Sequence, residues 1–331
     1  MLLLWIGLFL LGANGIDIAR EEYLKYKKYL KRVNKPAVKS IKTEYGDIFD
    51  CVDIYKQLAF DHPLLKNHTL LMTPASLPNW RNEKSPSDQR ASVPKMGAIL
   101  GEGCPEGTVP IRRTRMQDLL RAPSLYLHGK KYEGNGTYAG NYSMLPNNPQ
   151  AGHHYALISA TQGTFYGTKV AMNLWNPQLS VYGMFSLAQY WIIAGPVGSF
   201  NTIEVGWTDT NGNWWLFYDV DNKVLGYFPK DLFPLLGSGP ATRVDWGGET
   251  YSPTNVCPPM GSGHFPEEGI RKAGFMRGIK VMNQARQPVD APPNTVTVAD
   301  IPQDYRVLDS RVISPEPVGR SFFYGGPGGN C

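Results

Sequence analysis

The chain has 331 residues, 42% of them hydrophobic and 18% charged, with a formal net charge of +5, 35 glycines and 27 prolines. Charged residues are scarcer than the roughly 25% usual in globular proteins, and much of the positive excess sits in one short N-terminal stretch, so neither a solvating disordered chain nor a nucleic-acid binder carried by charge is expected. Glycine and proline exceed their average share of about 12% without reaching the ~25–30% of low-complexity chains, which leaves a turn-rich protein with a sizeable core, as one large β domain or two domains.

Residues 1–12, MLLLWIGLFLLG, form an apolar run too short to span a bilayer as a mature helix. Ala13 and Gly15 then supply the small side chains of a signal-peptidase site, so a secretion signal cleaved near Gly15 is expected. Residues 16–35 read as a helix with Tyr23, Tyr26, Tyr29, Leu30 and Val33 on one face and Lys25, Lys28, Lys31 and Arg32 elsewhere, stopped by Pro36. Packing on its own protein is the expected use of that face, ahead of a membrane surface. A turn-rich stretch runs to about residue 110, and a polar Gly/Asn/Tyr segment at 129–152 reads as a linker and domain boundary. The expected organisation is therefore a leading domain over 16–148 and a second domain over 149–331.

Beyond the linker the hydrophobic period becomes two. Val170, Met172 and Leu174 alternate with Lys169, Ala171 and Asn173; residues 189–194 read as a buried strand, and 213–218 and 224–228 flank an Asp221-Asn222 turn. One short helix is expected over 229–236, limited by Pro234. Short aromatic strands separated by turns predict an all-β second half, an antiparallel β-sandwich, behind a smaller mixed domain with the N-terminal helix.

The cysteines are Cys51, Cys104, Cys257 and Cys331, too widely spaced for a zinc pattern. Three connectivities exist, and the entropy of loop closure favours the local ones, Cys51 with Cys104 and Cys257 with Cys331. Sequons at Asn67, Asn135 and Asn141 fit an exported, glycosylated chain.

The H-E-x-x-H, G-x-S-x-G and P-loop motifs are absent, as is a G-x-G-x-x-G before a helix. No cofactor and no metal are expected. His153 and His154 are adjacent and would point to opposite faces of a strand, so the histidines read as structural or surface residues, His264 in the 260–266 stretch MGSGHFP being the least ordinary. Two glutamates stand out. Glu204, in NTIEVGW (201–207), sits mid-strand between small neighbours, and Glu249, in RVDWGGE (243–249), follows two glycines that permit a bulge or a close backbone approach. Two carboxylates brought together in a cleft repel, so one keeps its proton while the other ionises, which supplies an acid and a base.

The chain resembles the plant neprosin family along nearly its whole length. In the front half the resemblance is carried by LKRVNKPAVKSI (30–41), DCVDI (50–54), FDHPLLKNHT (60–69) and CPEGTVPIRR (104–113), which look like the family's activation propeptide. In the back half it is carried by NTIEVGW, GNWWL (212–216), GYFP (226–229), WGGE (246–249), MGSGHFP and YGGPG (324–328), which look like its catalytic domain. The resemblance implies a secreted zymogen of a glutamic endopeptidase that cuts beside proline at acidic pH, with Glu204 and Glu249 as the catalytic pair. It also implies a β-sandwich, the propeptide as inhibitor, a proline-containing peptide or protein as substrate, and an extracellular (apoplast or cell-wall) or vacuolar location, without nucleic acid or, after signal cleavage, membrane. Gln189 and Tyr190 are candidate donors to a developing oxyanion, and Trp191, Trp207, Trp246 and Tyr227 are candidates for an apolar groove that takes a proline ring, although core packing is the expected fate of most of these aromatics.

One departure stands beside these matches. Relatives carry on the order of sixty residues, enough for several strands, between the first glutamate motif and GNWW, where this chain has only Thr208 to Asn211. A close cysteine pair normally held by that block is missing too, and Asp304 stands where many relatives have cysteine, which also leaves Cys257 for Cys331. Such a loss is expected to expose strand edges or hollow the core. The alternatives are a non-catalytic extracellular binding protein and an inactive product of an exon-skipped transcript.

Overall fold

The computed structural model describes residues 20–44, 46–77, 103–121, 125, 152–181, 183–196, 200–203, 207–218, 223–315 and 318–331. The expected signal segment, most of the linker, the Asp221-Asn222 turn, Glu204, Asn135 and Asn141 lie outside the described residues. No helix among the described residues is long and apolar enough to cross a membrane. Two compact units emerge: Met1–Leu70 with Arg90–Lys131, and Leu71–Gln89 with Tyr132–Cys331.

In the first unit, α1 (Arg20–Val33) buries Tyr26 and half-buries Tyr23, Tyr29, Leu30 and Val33, while Lys25, Lys28, Lys31 and Arg32 stay exposed, the face expected from the periodicity. Asn34 closes it by exchanging two side-chain bonds with the backbone of Thr114, at 2.8 and 2.9 Å. Strands β1 (Ala37–Lys42), β2 (Ile48–Asp53) and β3 (Thr108–Arg112) form an antiparallel sheet in that order, followed by α2 (Met116–Arg121). Cys51 of β2 is bonded to Cys104. Asn67 of the first sequon is exposed.

Acid sensitivity is built into this unit. Hydrogen bonds from Arg113, at 2.7 and 2.5 Å, hold the Asp50 carboxyl below the usual carboxylate range despite its burial, with Ser40 assisting. Burial pushes Asp118 up, but the Arg115 N–H and the Arg112 guanidinium outweigh it, so its carboxyl is also held low. Carboxyls lowered by folding contribute stability that is present above the unfolded value of about 3.9 and lost as pH falls through the folded values. Amide exchange in β1–β3, corrected for intrinsic rates, should therefore stay slow to about pH 4 and then accelerate. Asp50→Asn should already exchange faster at neutral pH, with a smaller acid step. An unchanged step in that variant would refute the assignment.

The second unit is the expected antiparallel sandwich. Its strands are β4 (His153–Ala160), β5 (Thr168–Met172), β6 (Phe185–Ala194), β7 (Asn201–Ile203), β8 (Trp207–Thr208), β9 (Trp214–Tyr218), β10 (Lys223–Phe228), β11 (Arg243–Tyr251), β12 (Val256–Cys257), β13 (Gly274–Met282), β14 (Pro288–Asp290), β15 (Val296–Ala299), β16 (Arg306–Leu308), β17 (Phe322–Gly325) and β18 (Gly329–Asn330). One sheet runs β15-β4-β11-β6-β7 and another β14-β13-β17-β16, with β5 also on β13. The core between them takes Ala156, Ile158, Ile192 and Trp246 from the first and Met276, Ile279, Phe322 and Tyr324 from the second. The expected helix over 229–236 is only a 3₁₀ turn at Lys230–Leu232 followed by turns, as Pro234 allows. Cys257 is bonded to Cys331, the pairing expected from loop entropy, and β12 pairs with β18 beside it.

Between β8 and β9, over Asp209 to Asn213, the chain makes a tight, hydrogen-bonded turn. Asp209, fully buried, accepts the N–H groups of Asn211 and Asn213 on Oδ1 and the Trp215 indole N–H and Ala75 N–H on Oδ2. Trp214 and Trp215 are buried at once after it. The Ala75 bond, and one from the Leu71 N–H to the Tyr227 hydroxyl at 3.0 Å, place residues 71–77 with the second unit, a division that differs from the boundary expected at 148.

A second buried charge lies in the loop before β17. Arg320 and Asp309 have no exposed side-chain surface and meet through two guanidinium nitrogens, at 2.6 and 2.7 Å, with Thr295 bonded to both side chains.

Candidate active site

Glu249 lies near the end of β11, at the middle of the first sheet. It stands opposite Tyr155 of β4 on one side and Leu187 of β6 on the other, in a ladder that runs from residue 243 to 251 without a register shift. Alternation sorts the side chains of this sheet. Even positions of β4, β6 and β11 enter the core, and odd positions, among them Tyr155, Leu157, Gln189, Trp191 and Glu249, share the opposite face, where Phe200 also packs.

The two glycines before Glu249 make a close approach and no bulge. A Cβ on Gly247 would lie 2.3 Å from the Ala156 carbonyl oxygen, and one on Gly248 would lie 2.6 Å from Met260 Sδ and 2.8 Å from the Tyr324 ring. Gly248→Val should therefore push β11 away from the second sheet, costing about 1–3 kcal/mol as overpacking does and misplacing Glu249. Thermal melting together with turnover checks this, and a variant as stable as the parent would contradict it.

Glu249 has no exposed surface. Its Oε1 is hydrogen-bonded to His153 Nδ1 at 2.8 Å and accepts from the Tyr155 hydroxyl at 3.1 Å, and its Oε2 accepts from Gln189 Nε2 at 3.2 Å. For a bond to a carboxylate, Nδ1 of His153 carries the proton. The imidazole is wedged against Tyr251 at 4.7 Å and Phe185 at 5.6 Å between ring centroids, and Tyr155 meets Trp191 edge-on at 6.2 Å. Glu249 is thus a buried carboxyl with hydrogen-bond partners on both oxygens, boxed by aromatic rings, as burial of a polar group demands.

Of the residues expected at the site, Glu249, Gln189 and Trp191 come together on one face. Gln189, expected as a donor to an oxyanion, gives an Nε2 hydrogen to Glu249. Tyr190 corrects the expectation of an oxyanion donor by sitting on the core side, and Trp246 is packed in the core as most of the aromatics were expected to be, its indole donating to Thr168 Oγ1 at 3.0 Å. Tyr227 is also elsewhere, stacked on Trp215 at 4.6 Å in a cluster with Leu71 and Met282. Glu204 and the Trp207 side chain lie outside the described residues. His264 is on the surface, 2.9 Å from Glu268.

The functional neighbours missed in the sequence are His153 and Tyr155. His153 and His154 do point to opposite faces, His154 bonding Asp300 at 3.0 Å. His154 also lies beside Cys257 and Cys331, whose sulfurs are joined in the disulfide.

The second unit is thus a β-sandwich with a buried glutamate on one sheet face, bonded to His153, Tyr155 and Gln189, and most of the N-terminal residues form a separate smaller unit. Comparison with known families agrees: the chain matches Neprosin activation peptide over residues 40–159 and Neprosin over residues 208–327. The chain belongs to the neprosin family and has the parts of a neprosin-family protease, an activation peptide and a catalytic domain. Glu249 falls within the second match, and Glu204 lies between the two.

Proposed function

We propose that this chain is the latent, secreted precursor of a glutamic endopeptidase that cleaves proline-containing peptides at acidic pH, with Glu249 and Glu204 as its catalytic pair. The observation that carries the reading is Glu249 itself, a carboxyl fully buried at the centre of a sheet and hydrogen-bonded to three side chains. Buried carboxyls are costly, and such a built setting is where one group is tuned to move a proton. One carboxylate takes a proton from water as it attacks the scissile carbonyl, and the other gives a proton to the leaving amine.

Processing has a structural limit. The activation-peptide match extends to residue 159, yet β4 is hydrogen-bonded on both sides within the catalytic sheet and carries His153 and Tyr155. A cut beyond Gly152 would remove a central strand of that sheet, so the activating cut falls before it. Incubation at about pH 3–4, where carboxylates protonate, should yield a fragment beginning between residues 128 and 152 as peptide turnover rises. Full activity of an uncut precursor, or a fragment that begins after His153 and remains active, would overturn this reading.

A further inference from the structure

We infer that His153 is a positioning residue that holds Glu249 in its ionised, accepting form, which makes Glu249 the base toward water and leaves the proton-donating role to the second carboxylate. The inference rests on the reading of Glu249 as catalytic.

Glu249 is faced by β4 with His153 and Tyr155 and by β6 with Gln189, and these are its titratable and polar partners among the described residues. The Tyr155 hydroxyl and the Gln189 amide meet it as donors, and His153 joins them in the tautomer that carries its proton on Nδ1. Oε1 receives two of them, so a carboxyl proton on that oxygen would confront the imidazole N–H and the phenol O–H, while a proton on Oε2 would confront the Gln189 amide. Hydrogen bonds made to the charged form favour that form. The ring is held for this purpose, packed against Tyr251 and Phe185, which are themselves cross-strand partners. Where a second carboxyl shares the site, an anion fixed at Glu249 leaves the proton on that partner.

His154 supplies an internal control. It makes the same kind of contact, with Asp300, from the other face of the same strand.

The test is the pH profile of kcat/KM for the acid-processed chain, whose acid limb reports the base of the free enzyme. In His153→Ala, kcat should fall at least about tenfold with KM little changed, and the acid limb should move to higher pH by about half a unit or more. His153→Asn, which retains a donor, should recover part of the kcat, Tyr155→Phe should move the limb the same way by less, and His154→Ala should leave it in place. Superimposable profiles, or movement of the alkaline limb alone, would overturn the inference. The carbon NMR titration of the intact precursor provides a second readout that needs no activity. The glutamate signal absent from Glu249→Gln should titrate at higher pH in His153→Ala than in the parent, and an unmoved or lowered midpoint refutes the assignment. A Glu249→Gln variant that stays active sinks the catalytic reading, whereas an inactive Glu249→Gln beside an unshifted His153→Ala sinks only this inference.

Discussion

Glu249→Gln in the acid-processed chain should lower kcat/KM by roughly 10²–10⁴-fold while the sandwich stays folded, since that is the usual contribution of a positioned acid or base. Glutamine fits the same space between Tyr155 and Leu187, and its carbonyl oxygen can still accept from His153 and Tyr155. Its amide nitrogen, however, would then face the Gln189 amide as donor against donor, so a stability loss of about 1–3 kcal/mol is expected from that mismatch. The rate effect must exceed what that loss explains. Kinetics and a denaturant melt on the same preparation separate the two. Activity that falls only in proportion to the unfolded fraction would make Glu249 a structural residue.

The largest stability effect is expected at a different buried charge. Arg320→Met should destabilise the second unit by about 3–5 kcal/mol near neutral pH, because it strands a buried carboxylate. Asp309 would keep only the Thr295 hydroxyl and the Arg311 N–H. In the parent, burial pushes the Asp309 carboxyl up, but Arg320 and those two donors outweigh it and hold it below the usual range. The parent therefore gains stability from this group above the unfolded carboxyl value and loses it as pH falls through the folded one. In the variant the sign reverses: a carboxyl left buried without its cation resists ionisation, so folding is favoured as it takes up a proton. The gap between parent and variant should narrow from pH 7 toward pH 4, and Arg320→Met with Asp309→Leu should recover most of the loss. Urea melts at the two pH values check this, and a gap that widens in acid would contradict it.

Periodicity was enough to place α1 and its buried tyrosine face, the alternating strands after the linker and the sandwich they build, because each depends on local spacing. Loop entropy alone favoured both disulfides that formed. The site was legible in part. Glu249 stood out by its glycines, and counting parity from it along β11 assigns Trp246 to the other face, a signal present in the sequence. Parity within β4 separates His153 from His154 but cannot say which of them meets Glu249. That answer comes from the register between strands almost a hundred residues apart, where Tyr251 pairs with His153 and Glu249 with Tyr155. The closed turn between β8 and β9 escaped notice for a similar reason. Asp209 reads as an ordinary turn aspartate until its second oxygen is seen on Trp215 and on the distant Ala75.

The most direct test of the account is the cleavage of one proline-containing peptide by the acid-processed chain, with products identified by mass and with a metal chelator and serine- and thiol-directed reagents present. The account predicts cuts beside proline, fastest in acid and indifferent to those reagents, made by a fragment that retains β4. A folded fragment that retains β4 and binds the peptide yet leaves it whole, or cleavage abolished by one of those reagents, would contradict it.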